Sequence, residues 1–130
     1  MFTRFLGCLL AVCLLAACGQ TPRQASNAET TTYELKQKLS DISYVPEDWA
    51  EPLNADLWLP QRTAQAPVVM LIHGGGWSSR DRSDMDSIAK QLVAAGFAAF
   101  NISYRFAPEH IFPAQLNDVM QAKRWLAQHA

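Results

Sequence analysis

Residues 73–77 read His73-Gly74-Gly75-Gly76-Trp77 and follow directly on the apolar run Val68-Val69-Met70-Leu71-Ile72. Three glycines at the end of a strand leave backbone N–H groups that no side chain covers, so the loop can hold negative charge. Three chemistries use such a loop. A phosphate-gripping loop needs Gly-Lys-Ser/Thr at its end, but Gly76 is followed by Trp77-Ser78-Ser79. A dinucleotide fingerprint counted from Gly74 and Gly76 needs a third glycine where Ser79 stands, and an acid where Asn101 and Ser103 stand. The third chemistry is an oxyanion hole, in which N–H groups are aimed at the oxygen of a tetrahedral acyl-transfer intermediate; taken alone, the glycines also read as a flexible turn with no ligand.

The elements around the loop must position it. Val68 to Ile72 is apolar at every position, the pattern of a strand covered on both faces in a parallel sheet. A helix capped by Ser83 or Asp84 carries Ile88, Leu92, Val93 and Ala95 and stops at Gly96. Ala98 to Tyr104 is the next buried strand, which completes a right-handed strand-helix-strand crossover. Pro113 opens a last helix with Leu116, Val119, Met120, Lys123 and Leu126 near one face, and with Gln115, Gln121 and Arg124 toward water. Upstream, Asp41 to Val45 alternates until Pro46. Leu53, Ala55, Leu57 and Leu59 alternate with Asn54, Asp56 and Trp58. These read as two half-buried strands that pair antiparallel.

At the N-terminus, Arg4 is followed by the apolar run Phe5 to Leu14 and then by Ala16-Ala17. A charged start, a run of about ten apolar residues and a small-residue cleavage site describe a secretory signal, too short for a membrane span of about 20 residues. All three cysteines, Cys8, Cys13 and Cys18, lie here, so cleavage before Cys18 leaves one cysteine and no internal disulfide. Leu15-Ala16-Ala17-Cys18 resembles the lipobox of bacterial lipoproteins. That resemblance implies lipidation of Cys18 and a membrane anchor, and Gly19 after it points to the outer membrane. Residues 1–17 are read as the lipoprotein signal peptide, 18–39 as lipidated Cys and flexible tether, and 40–130 as the folded portion. The segment Gly19 to Thr32 is polar with no face to bury, and Tyr33 to Leu39 adds a short helical turn.

The glycine loop has company. Tyr104-Arg105-Phe106-Ala107-Pro108-Glu109-His110, then Phe112-Pro113-Ala114-Gln115-Leu116-Asn117-Asp118-Val119, and then Arg124-Trp125-Leu126 follow it in order. Together these motifs resemble the N-terminal half of hormone-sensitive-lipase-like carboxylesterases and of BD-FAE-like esterases. Both groups belong to the α/β-hydrolase superfamily, whose esterases place a His-Gly-Gly-Gly segment in the oxyanion hole. The resemblance covers about Asp41 to His129. It implies an α/β fold whose antiparallel hairpin leads into a parallel sheet with flanking helices, of which these residues are an incomplete, N-terminal portion.

Carried residue by residue, the resemblance implies that the N–H groups of Gly75 and Gly76 supply part of the oxyanion hole. His73 and Gly74 then position the loop, and His73 is not the catalytic base. Pro108, Glu109, Pro113 and Asp118 hold the loop and last helix against the sheet. Trp77 is open to two readings, a wall of the substrate pocket or a ring covering the sheet edge. Arg105 is read as a structural ion-pair partner. His110 and His129 are read as solvated residues, and with His73 they lack metal-ligand spacing. No metal and no cofactor are implied.

The catalytic triad is not present: no serine has glycine two residues before and two after it, as the nucleophile turn requires. The expected function is that of a serine carboxylic-ester hydrolase lineage acting on a small ester. These residues would carry its oxyanion loop but not its nucleophile, acid or base, and would be inactive alone. The alternative is a non-catalytic, lipid-anchored binding or scaffolding lipoprotein. A net charge of −1 gives no electrostatic reason to expect nucleic acid as a partner.

Overall fold

The structure is a computed structural model that describes residues 31–62 and 64–129. The signal peptide, Cys18 and most of the tether lie outside the described residues. Four strands, β1 (Leu35–Ser43), β2 (Asn54–Pro60), β3 (Val68–Ile72) and β4 (Ala98–Ile102), form one sheet in the order β1-β2-β4-β3. β1 with β2 and β2 with β4 pair antiparallel, while β3 runs parallel to β4 with Val68 opposite Ala98 and Ile72 opposite Ile102. Helix α1 (Asp86–Ala94) joins β3 to β4, and helix α2 (Ala114–His129) follows β4.

Residues 35–39 belong to β1, which corrects both the helical turn expected at Tyr33–Leu39 and the tether expected to reach residue 39. Local pattern loses to pairing here. Lys38 faces Trp58 across the ladder, stacks its ammonium 4.5 Å from that ring, and reaches Asp56 at 3.0 Å. The register shifts between Leu39 and Ile42, where Asp41 has φ 56°, as in a bulge that adds twist.

β2 is not half-buried. Ala55 is inside as expected, but Asp56 and Trp58 on its other face are also buried. The reason is that both faces of the sheet are covered. On one side Trp58, Leu71 and Ala99 pack with Ala89 and Val93 of α1. On the other, Ala55, Phe100 and Ile102 pack with Tyr44 and Ala122, and Trp125 of α2 stacks on Phe100 with ring centroids 5.2 Å apart. Asp56 tolerates burial because Lys38, Arg82 Nε at 3.1 Å and the Asp41 N–H at 3.2 Å surround its carboxylate. Burial alone would raise its pKa, yet these partners hold it below the ordinary value.

β4 is buried at all five positions. β3, expected to be covered throughout, buries only Leu71; Val68 and Ile72 are exposed because β3 is the outer strand among the described residues.

The turn before α1 is capped two or three residues earlier than expected. Asp81, not Ser83 or Asp84, is the cap of a 3₁₀ turn at Arg82–Met85: its side chain accepts from the Ser83 N–H at 2.8 Å, while Asp84 reaches back to the Asp81 N–H at 3.3 Å. α1 buries Ala89 and Val93 and leaves Ile88 exposed. It ends as expected at Gly96, whose φ of +87° and N–H bond to Val93 O at 2.8 Å close the helix.

α2 turns only part of the expected apolar face inward: Val119 and Leu126 pack against the core and Arg124 faces water as expected. Gln115, Asp118 and Ala122 are buried, whereas Leu116 and Met120 are exposed and Gln121 donates to Tyr44 O at 3.1 Å. The polar partners of Asp118 and Gln115 fix the first half of the helix, and Trp125 and Leu126 pack its second half on the core.

Candidate active site

β3 ends at Ile72 and delivers His73 into the interior, 3% exposed. The imidazole stacks on Tyr104 with ring centroids 4.4 Å apart and meets Phe106 edge-on at 5.8 Å. Its Nδ1 donates to Gly74 O at 2.8 Å. The Tyr104 hydroxyl donates to His73 O at 2.8 Å and lies 3.3 Å from Gly74 O. Burial raises the Tyr104 pKa, so the phenol keeps its donor proton.

The glycines divide into different cases. Gly75 has φ +116°, and a Cβ there would lie 2.1 Å from Ser79 O, so only glycine fits. Gly76 has φ +61° with open space where a Cβ would point. Gly74 has neither a positive φ nor any atom within 4 Å of a Cβ, so nothing within the described residues demands glycine there. Trp77 continues the left-handed path at φ 65°.

Two of the loop carbonyls accept from nearby donors of the chain. Gly75 O accepts from the Ser78 N–H at 3.2 Å, Ser79 Oγ at 3.0 Å and Ser78 Oγ at 3.4 Å, and Trp77 O accepts from the Ala107 N–H at 2.8 Å. The N–H groups of Gly75 and Gly76 have no acceptor among the described residues.

Next to Gly76 opens a cleft of ≈ 660 Å³, walled by Ile72, Trp77, Ile111, Phe112 and Leu116, with no charged residue in its lining. Trp77, the residue open to two readings, is 54% exposed, lines this cleft and meets Tyr104 edge-on with ring centroids 5.4 Å apart.

Arg105 points away from the cleft lining into a buried pair with Asp118. Its Nη2 is 2.7 Å and its Nε 3.0 Å from Asp118 Oδ1, and its backbone N–H donates to Oδ2 at 3.0 Å. Trp49 Nε1 adds a bond of 2.9 Å to the same carboxylate. The bonds to Asp118 raise the Arg105 pKa further. Asp118 thus anchors the loop to α2 as the motif implied. Glu109 is exposed and is in none of the ion pairs among the described residues, which corrects its expected holding role.

His110 is not simply solvated, since its Nε2 donates to Glu51 Oε1 at 2.6 Å. His129 stacks on Trp125 with ring centroids 4.1 Å apart and donates to Trp125 O at 2.7 Å. Among the described residues no group of three or more His, Cys, Asp and Glu side chains could hold a metal ion, and no helix is long and apolar enough to cross a membrane. Sequence reading passed over Tyr104, Ser78 and Ser79 as parts of the loop's support. The signal lay in the placement of Tyr104 just past β4, beside the residue that follows β3.

The BD-FAE family model matches residues 55–130. Esterase LipI of Mycobacterium tuberculosis is 37% identical over 84 residues, which cover 62% of this chain and 26% of LipI. Carboxylesterase NlhH of the same organism is 38% identical over 74 residues, covering 56% of this chain and 23% of NlhH. Among solved structures, a bacterial heroin esterase superposes with TM-score 0.61 at 28% identity, covering 80% of this chain and 32% of that one. An esterase of Pyrobaculum calidifontis superposes with TM-score 0.64 at 26% identity, covering 76% and 32%. The chain spans about a quarter of the length of these curated relatives. A parallel β3-α1-β4 unit, a glycine loop at the end of β3 and the match from residue 55 onward coincide in one conclusion: the chain belongs to the BD-FAE family, among the carboxylesterase-like α/β-hydrolases.

Proposed function

We propose that this protein is a lipid-anchored serine ester hydrolase in which the N–H groups of Gly75 and Gly76 hold the oxyanion. In such a reaction a serine oxygen attacks the ester carbonyl and the carbonyl electron pair moves onto oxygen. Donors already fixed in place stabilise that charge without reorganising. The observation that carries the reading is the polarity of the loop: the Gly74 and Gly75 carbonyls are taken by donors of the chain itself, His73 and Tyr104 for the first and Ser78 and Ser79 for the second, while the Gly75 and Gly76 N–H groups have no acceptor among the described residues. His73 and Gly74 position the loop, and Trp77 contacts substrate in the adjoining uncharged cleft, which suits a small apolar ester. No serine here has the Gly-x-Ser-x-Gly flanks, so the reading assigns nucleophile, acid and base to residues outside 1–130. Cys18 carries the lipid, and the domain is held at the cell envelope, at the outer membrane.

The test uses the full-length protein expressed from its gene, 4-nitrophenyl butyrate and a biotinylated fluorophosphonate. Hydrolysis is expected, with the probe attached to a serine between two glycines outside residues 1–130. Attachment at Ser78 or Ser79 would overturn the assignment of the nucleophile. Absence of both hydrolysis and labelling would leave the non-catalytic lipoprotein in its place. Labelled palmitate should enter the protein and be lost in Cys18→Ala; equal incorporation in both would refute the anchor.

A further inference from the structure

A trans peptide is planar, so the carbonyl of one residue and the N–H of the next point in opposite directions. Whatever grips Gly74 O therefore aims the Gly75 N–H, and whatever grips Gly75 O aims the Gly76 N–H. Glycines resist peptide rotation poorly because they have no Cβ to block it. The direction of each N–H thus has to be held by hydrogen bonds to the preceding carbonyl.

We propose that Tyr104 and Ser79 are positioning residues for the oxyanion donors, Tyr104 for the N–H of Gly75 and Ser79 for the N–H of Gly76. The inference rests on the oxyanion reading given above. Tyr104 is 4% exposed, and its ring is held between His73 at 4.4 Å and Trp77 at 5.4 Å. Its single hydroxyl proton goes to His73 O at 2.8 Å with a weaker, bifurcated arm to Gly74 O at 3.3 Å, where His73 Nδ1 at 2.8 Å is the shorter donor, so Tyr104 acts on Gly74 O together with the imidazole that it stacks on. Ser79 Oγ donates to Gly75 O at 3.0 Å, shorter than the 3.4 Å of Ser78 Oγ. Ser79 is exposed, so water replaces part of what its hydroxyl does. Tyr104 is buried, so no water takes the place of its hydroxyl; His73 Nδ1 still holds Gly74 O, but His73 O loses its donor and the imidazole loses its anchor, and this loss has the larger effect.

Tyr104→Phe, Ser79→Ala and Ser79→Thr in the full-length protein test this with 4-nitrophenyl butyrate. A trifluoromethyl ketone that binds as an oxyanion serves as inhibitor. Tyr104→Phe is expected to lower kcat about 10- to 100-fold with KM within about twofold, because the grip acts on transition-state donors. Ser79→Ala should lower kcat about threefold to tenfold, and Ser79→Thr, which keeps the hydroxyl, should return it to within about twofold. Ketone affinity should fall in step with kcat. Variants that lose thermal stability but keep kcat and ketone affinity would show a merely structural role and overturn the proposal. If Tyr104→Phe does not fold, the serine pair on the exposed loop decides. A wild-type protein that hydrolyses ester while both variants equal it refutes this inference alone; a wild-type protein without hydrolysis refutes the esterase reading and this inference with it.

Discussion

Arg105 and Asp118 form a buried pair, Nη2 to Oδ1 2.7 Å, with the carboxylate fully buried and also bonded to Trp49 Nε1. The pair joins the loop after β4 to the first half of α2, and so sets where Ile111, Phe112 and Leu116 stand around the cleft. Removing one partner leaves a buried charge uncompensated. Asp118→Ala is expected to destabilise the full-length protein by about 3–5 kcal/mol, read from its urea midpoint. The double variant Arg105→Met with Asp118→Leu should be less damaging than either single one; additive losses would show that the pair does not act as a unit.

Asp56 makes acid stability testable. Burial pushes its pKa up, but Lys38, the Asp41 N–H and Arg82 outweigh it, so the folded value lies below the ordinary 3.8. A depressed folded pKa means that the unfolded chain takes up a proton first. The contribution is therefore complete above about pH 4 and is lost as pH falls through the folded value. Asp56→Asn should be less stable than wild type at pH 7, and the difference should shrink below about pH 4. A difference that stays constant down to pH 2 would contradict the ion-pair assignment.

Gly74 and Gly75 should respond differently to alanine. At Gly75 a Cβ meets Ser79 O at 2.1 Å and the backbone sits at φ +116°, whereas at Gly74 a Cβ meets nothing within 4 Å. Gly74→Ala should leave the unfolding free energy, read from the urea midpoint, within about 0.5 kcal/mol of wild type, while Gly75→Ala should cost about 1–3 kcal/mol or rearrange the loop. Similar effects at both positions would mean that the loop does not hold this conformation.

The outer strand and the cleft rim predict the behaviour of residues 19–130 expressed alone. Val68 and Ile72 are exposed on β3, and Ile111, Phe112 and Leu116 are exposed beside them at 73%, 77% and 51%. A bare strand edge next to apolar side chains invites association. This fragment should bind a hydrophobic dye or aggregate, and should not hydrolyse 4-nitrophenyl butyrate. A monomeric, cooperatively melting fragment with turnover would contradict the reading that its nucleophile lies elsewhere.

Much was legible in the order of residues. Val68 to Ile72 declared its strand to the residue, and Gly96 declared the stop of α1, because a continuous apolar run and a left-handed glycine are local signals. The motif from Tyr104 to Asp118 declared the family and the pairing of Arg105. The periodicity of α2 placed Val119 and Leu126 against the core but misled at its first half, where Leu116 and Met120 are exposed while Gln115 and Asp118 are buried. A hydrogen-bonded carboxylate outweighed Leu116 and Met120 in the first half of the helix, and no helical period records which polar side chain will find a buried partner.

The sequence by itself determined that a glycine loop follows an apolar strand, and with its companion motifs it determined the family. Only the tertiary structure decided that β1 begins at Leu35, that Asp56 and Trp58 are buried, and that Tyr104 and Ser79 grip the loop's carbonyls. Strand and turn signals reside in neighbouring residues. Burial and hydrogen bonding depend on partners distant in the chain, such as Tyr104 and His73, which meet only when β3 and β4 lie side by side.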